Sequence, residues 1–131
     1  AQESRGLGDV YKRQPLSHPT QVLSDVFTVE EIKKKPISKL NIAWIGDSNN
    51  VLNSLIAASV KFSFKLSIAC PRKYKPKKFI INWARDKNKR INIFHDLKLA
   101  VNNADVIFSD KVISLNDKVN RKNKIKDFKR L

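Results

Sequence analysis

AWIGDSNNVLNS, residues 43–54, decides the fold. A short apolar run stops at Gly46, the chain turns through Asp47, Ser48, Asn49 and Asn50, and an apolar pattern of helical period begins at Val51. A strand–loop–helix corner of this kind is where α/β proteins hold ligands. A pyrophosphate loop would need closely spaced glycines, so that bare backbone can approach the phosphates. Gly46 stands alone and no Gly-Lys-Ser/Thr follows, which excludes a P-loop and argues against a dinucleotide site.

Working outward, NIAWIG over 41–46 is almost continuously apolar and predicts a strand covered on both faces. Residues 51–62 predict a helix whose stripe is Val51, Leu52, Leu55, Ile56, Ser59 and Val60. KLSIAC over 65–70 predicts a second strand, closed by Pro71. A helix over 77–88 is expected to turn Phe79, Ile80 and Trp83 inward. A third strand covers 91–94, Asp96 is positioned to cap a helix over 97–102, and DVIFS over 105–109 is a fourth strand. Upstream, Pro19 suits a first helical position. Val22, Leu23, Val26, Val29 and Ile32 then recur at steps of three and four, as one buried face requires. The lysines at 33–35 complement the helix dipole, and Pro36 ends the run. The mostly charged tail, 118–131, is assigned no element.

Strands alternating with helices predict an α/β domain: a Rossmann-like parallel sheet with helices on both faces. Ligands in such sheets sit outside the carboxyl ends of the strands. Three loops qualify: 46–50, 71–75 and 110–117.

The totals narrow the function. A chain of 131 residues, 41% apolar, is about one domain with a core. No apolar run approaches the ~20 residues of a membrane span, and the start lacks a signal pattern. The single cysteine, Cys70, excludes an internal disulfide framework and fits a reducing, cytoplasmic setting with no membrane partner. His18 and His95 lie far apart and Cys70 has no partner motif, so no metal site is expected. The net charge of +15 comes from 20 Lys against 7 Arg, spread out rather than interleaved with aromatics. It reads first as a solvated basic face and so implies no nucleic-acid partner; a nucleic-acid module remains the alternative of another class. Residues 1–14, AQESRGLGDVYKRQ, carry no amphipathic period. Their RGLGDVYKRQ string resembles the conceptual translation of sequencing-adapter read-through, and the segment is set apart as non-native.

The loops themselves are small and polar. Asp47, Asn49 and Asn50 stand at a helix start, where amides and free N–H groups suit a carboxylate. Asp110, at the end of the fourth strand and followed by Ser114, suits an ammonium. An amino acid carries both groups. Simple capping and turn chemistry is the competing explanation for the two asparagines. His18, Pro19, Thr20 and Gln21 begin a helix whose first N–H groups lack partners, which suits a small carbonyl or anionic ligand, or else merely an exposed cap.

These residues resemble the ornithine carbamoyltransferases. His18-Pro19-Thr20-Gln21-Val22-Leu23-Ser24-Asp25 is similar to their HP-x-Q-x-L-[AS]-D segment. Gly46-Asp47-Ser48-Asn49-Asn50 is similar to GD-x-NN, and Asp110-Lys111-Val112-Ile113-Ser114-Leu115 to D-x-W-x-S-M, in family order. Val112 replaces the usual Trp, Leu115 the Met, and Asn116 a frequent Gly.

The resemblance implies that residues 15–36 end a carbamoyl phosphate domain and 37–131 form an ornithine domain. It implies that His18, Pro19, Thr20 and Gln21 bind carbamoyl phosphate. His18 would hydrogen-bond the carbonyl oxygen as the catalytic group, and Gln21 the carbamoyl amide. Asn50, Asp110, Ser114 and Leu115 would bind ornithine. The implied product is citrulline, the implied assembly a homotrimer, and no cofactor is needed. The family's Ser-Thr-Arg-Thr-Arg phosphate loop and its His-Cys-Leu-Pro loop are not among these residues, so the stretch alone is expected to be inactive. A carbamoyltransferase for another amine stays open as the alternative within the fold.

Overall fold

The computed structural model describes residues 18–110, 121–129 and 131. The chain enters through helix α1 (Pro19–Lys33), with Pro19 in its first turn. After a 3-10 turn (Ile37–Lys39) it alternates β1 (Asn41–Ile45), α2 (Asn50–Lys61), β2 (Lys65–Ala69), α3 (Lys78–Lys87), β3 (Ile91–Phe94), α4 (Leu97–Val101) and β4 (Val106–Ser109). Helix α5 (Arg121–Phe128) follows.

The four strands form one parallel sheet in the order β3-β2-β1-β4. Crossovers between parallel strands are right-handed, so reversing the direction of travel moves the helix to the other face. The chain steps from β1 to β3 in one direction, which places α2 and α3 on one side. It then returns to lay β4 beside β1, which carries α4 to the other. Accordingly α1 packs on α2 and α2 on α3, while α4 lies against β1, β2 and β3. The α/β class and the four expected strands are all present. No described helix is long and apolar enough to cross a membrane.

The core sits between the sheet and α2. Ile42, Trp44, Phe64, Leu66, Ile68 and Ile91 meet Leu52, Leu55 and Ile56, each nearly or fully buried. Polar groups lock the amino ends of the strands. The Asn88 side chain, itself buried, donates to Ser59 O at 2.8 Å and Phe64 O at 2.9 Å, and accepts from Arg90 N at 3.1 Å. Asn41 N donates to Asp105 Oδ2 at 2.7 Å, tying β1 to the start of β4.

Three expectations need correction. Leu23 and Ile32 are 54% and 71% exposed, because α1 touches the domain along the narrow stripe Val22, Val26, Val29 and they fall beside it. Phe79 and Trp83 do not turn inward either: Ile81 and Ala84 are the buried positions of α3. Phe79, Trp83, Leu23 and Phe62 instead line an open apolar groove of about 760 Å³ among α1, α2 and α3. The tail left without an element contains α5.

Candidate functional site

The strand order reverses between β1 and β4, and there the loops after the two strands diverge and leave a crevice. Gly46 begins the first loop with φ +157, a region that favours glycine, and its N–H donates to Ala69 O at 3.2 Å. A Cβ there would also stand 3.3 Å from the Trp44 indole, so the corner needs a bare backbone for packing rather than for phosphate. The Trp44 indole N–H in turn donates to Asp47 O at 3.3 Å. Ser48 N donates to Tyr74 O at 3.2 Å, which joins this loop to the one after β2.

Asn49 is the N-cap of α2, extended at φ −119 and ψ −175, and its Oδ1 accepts from Leu52 N at 3.0 Å. This is the capping role that turn chemistry predicts. Its other end does more. Nδ2 donates to Asp110 Oδ2 at 2.5 Å, bridging α2 to the end of β4 across the crevice. Asn49 reaches Asp110 because its extended backbone aims the side chain differently from that of Asn50, the first helical residue.

Two cavities flank that bridge. One, of about 350 Å³, is lined by His18, Gln21, Asp25, Trp44, Val51, Phe108, Ser109 and Asp110. It brings the start of α1 together with the end of β4. His18 is held by its backbone N–H, which donates to Ser54 Oγ at 2.6 Å. Its Nδ1 is buried and takes no partner among the described residues. Gln21 Nε2 donates to Asp25 Oδ1 at 2.9 Å, one turn along the helix.

The second cavity, of about 290 Å³, is lined by residues 47–50 with Asn53 and by Lys73, Tyr74, Lys75 and Lys77 from the loop after β2. Asn50 belongs here. Three asparagine amides, a helix start and nearby lysines give this cavity the chemistry of a carboxylate site. The first cavity, with Asp110 at its rim, suits a cationic or carbonyl group. Pro19 faces the apolar groove and Thr20 is exposed, so neither lines the crevice. Ser114 and Leu115 lie outside the described residues.

Sequence reasoning missed Asp25, Phe108 and Ser109. Asp25 sits four residues after Gln21, a helical neighbour by spacing alone. Phe108 and Ser109 immediately precede Asp110 and needed only the strand's end to be fixed. Cys70, at the end of β2, is fully buried, and burial followed by the charge of Asp47 pushes its thiol up to about 11. That describes an inert packing group. Among the described residues, no group of three or more His, Cys, Asp or Glu is arranged to hold a metal.

Three comparisons bear on this geometry. The family model described as "Aspartate/ornithine carbamoyltransferase, Asp/Orn binding domain" matches residues 38–131. An ornithine carbamoyltransferase from Methanosarcina acetivorans is 35% identical over 111 residues, covering 85% of this chain and 36% of that protein. The crystal structure of the anabolic ornithine carbamoyltransferase from Campylobacter jejuni superposes with a TM-score of 0.80 at 34% identity, covering 88% of this chain and 39% of that one. The enzyme from Pyrococcus furiosus gives 0.79 at 32%, with 88% and 38% covered. The chain spans about a third of the length of the curated relatives it matches.

Proposed function

The chain belongs to the aspartate/ornithine carbamoyltransferase family, and on that premise we propose that the full-length protein transfers the carbamoyl group of carbamoyl phosphate to the δ-amine of L-ornithine. One observation carries the assignment: His18 and Gln21 line the same cavity as Asp110. Groups suited to a carbonyl donor thus face a carboxylate suited to an amino acid's ammonium.

In this reading Asp110 pairs with the α-ammonium of ornithine and Asn50 receives its carboxylate from the adjoining cavity. Ser114 and Leu115 complete the amino-acid site. His18 and Gln21 hold the carbamoyl group, with Pro19 and Thr20 shaping the helix start that carries them. The neutral δ-amine attacks the carbamoyl carbon, the carbon–oxygen bond to phosphate breaks, and the amine loses its proton to give citrulline and phosphate. The chain's contribution is alignment of two substrates, plus a hydrogen bond from His18 to the oxygen that gains negative charge. The imidazole therefore acts as a donor to that oxygen rather than as a general base. No metal or cofactor takes part in the scheme. Helix α1 closes the carbamoyl phosphate unit, residues 37–131 form the ornithine unit, and the whole enzyme works as a cytoplasmic homotrimer.

The test is steady-state kinetics on the full-length protein. Asn50→Ala should raise the ornithine KM roughly tenfold while the carbamoyl phosphate KM moves less than about twofold. A full-length protein that forms no citrulline, or that carbamoylates another amine in preference, would overturn the assignment.

A further inference from the structure

Helix α5 reads RKNKIKDF, and its buried residue is a lysine: Lys124 is 2% exposed. An ammonium removed from water is strongly disfavoured unless it is paired and hydrogen-bonded. Lys124 is both. Its Nζ donates to Asp47 Oδ2 at 2.5 Å and stands 5.4 Å from the centre of the Tyr74 ring. Further contacts attach α5 to the loop after β2. Lys73 pairs with Asp127 at 3.2 Å, and the Tyr74 and Phe128 rings meet in a tilted contact at 5.5 Å. Tyr74 O also accepts from Ser48 N, so α5 is linked through Tyr74 to the residue next to Asp47.

Asp47 lines the same cavity as Asn50. Left unneutralised, its carboxylate would repel any anionic group that approached the Asn50 amide. We infer that Lys124 is a positioning residue for the amino-acid site: it neutralises Asp47 and fixes the corner, so that a ligand carboxylate meets the asparagine amides without a like charge beside it. The inference rests on the reading of Asn50 as the carboxylate-holding residue. Lys124 touches no substrate in this scheme. It acts through Asp47.

Three variants of the full-length protein test it. Lys124→Met keeps the aliphatic stem and removes the charge. It should raise the ornithine KM roughly tenfold, leaving the carbamoyl phosphate KM within about twofold. Lys124→Arg keeps the charge and should stay within about threefold of wild type. The double variant D47N/K124M removes both charges and should return the ornithine KM to within about threefold of wild type. A merely structural lysine would raise both KM values together, since a loosened fold does not discriminate between the two substrates. If Lys124→Met fails to fold, the double variant decides, since it buries no unpaired charge. An ornithine KM unchanged in Lys124→Met, a parallel rise in both KM values, or a double variant raised tenfold overturns the inference. Wild-type protein without ornithine-dependent turnover would overturn the functional assignment instead, so the two failures are distinguishable.

Discussion

At the amino ends of the strands, Asn88 donates to the carbonyls of Ser59 and Phe64 and accepts from Arg90 N, all three partners being backbone. At the carboxyl ends, Asn49 accepts from one backbone N–H and gives its amide hydrogen to a side chain, Asp110, beside a cavity. The residue type is the same and the consequence differs. A buried amide held by the backbone of its own fold can be replaced only by unmaking that fold. A bond between two side chains at a crevice can be exchanged for a ligand and remade. The sheet is therefore fastened at one end and adjustable at the other, and this is a physical reason for ligands to collect where the strands finish.

The contrast can be broken most sharply at Asp110. In the full-length protein, Asp110→Ala should lower kcat/KM for ornithine about a thousandfold, roughly 4 kcal/mol, by leaving the substrate's ammonium unpaired. Its thermal midpoint should move by no more than about 2 °C. A large fall in stability would make the carboxyl end a structural joint like the amino end. The reverse outcome is expected of Asn88→Leu. That change strands two buried carbonyls and should cost about 2–4 kcal/mol of folding free energy, read by denaturant unfolding, with kinetic constants of the folded protein unchanged.

The smallest effect belongs to Cys70, which lies at the carboxyl end yet behaves as core. Its thiol titrates near 11 in the fold against an ordinary value of 9.0. Above 9.0 the unfolded thiol ionises first and favours unfolding, so this contribution is intact below that pH and is lost as the pH rises towards 11. Cys70→Ala should flatten the decline in unfolding free energy across that window. The native thiol should also resist iodoacetamide at neutral pH. Rapid alkylation of folded protein would show that the end of β2 is open.

What could be read in the sequence follows from what each signal averages over. The four strands and the helix after Asn49 were legible because many residues repeat one period. Phe79 and Trp83 were misjudged because apolar spacing locates a stripe but does not say which of two adjacent stripes is covered. Helix α5 left no periodic apolar stripe, since the side chain it buries is Lys124 and the reason for burial, Asp47, lies far away in sequence. The bond from Asn49 to Asp110 was not legible in the sequence. Neighbouring asparagines at a helix start look alike until the cap's backbone angles are known. The resemblance to the family supplied what periodicity could not, namely which polar residues belong to one chemistry.

The pairing of Lys124 with Asp47 spans 77 positions of the chain. The four strands are complete by Ser109, and their pairings join neighbouring segments or the return of β4 to β1. Contacts of the longest reach require the largest loop closure and are favoured late in folding. On a ribosome the order is imposed by synthesis as well. The sheet, the groove and the α2 cap can all be drawn from residues already emerged, while Asp47 still waits for its cation. The sheet can close before residue 124 is made, so the charge balance of this corner is completed after the architecture around it.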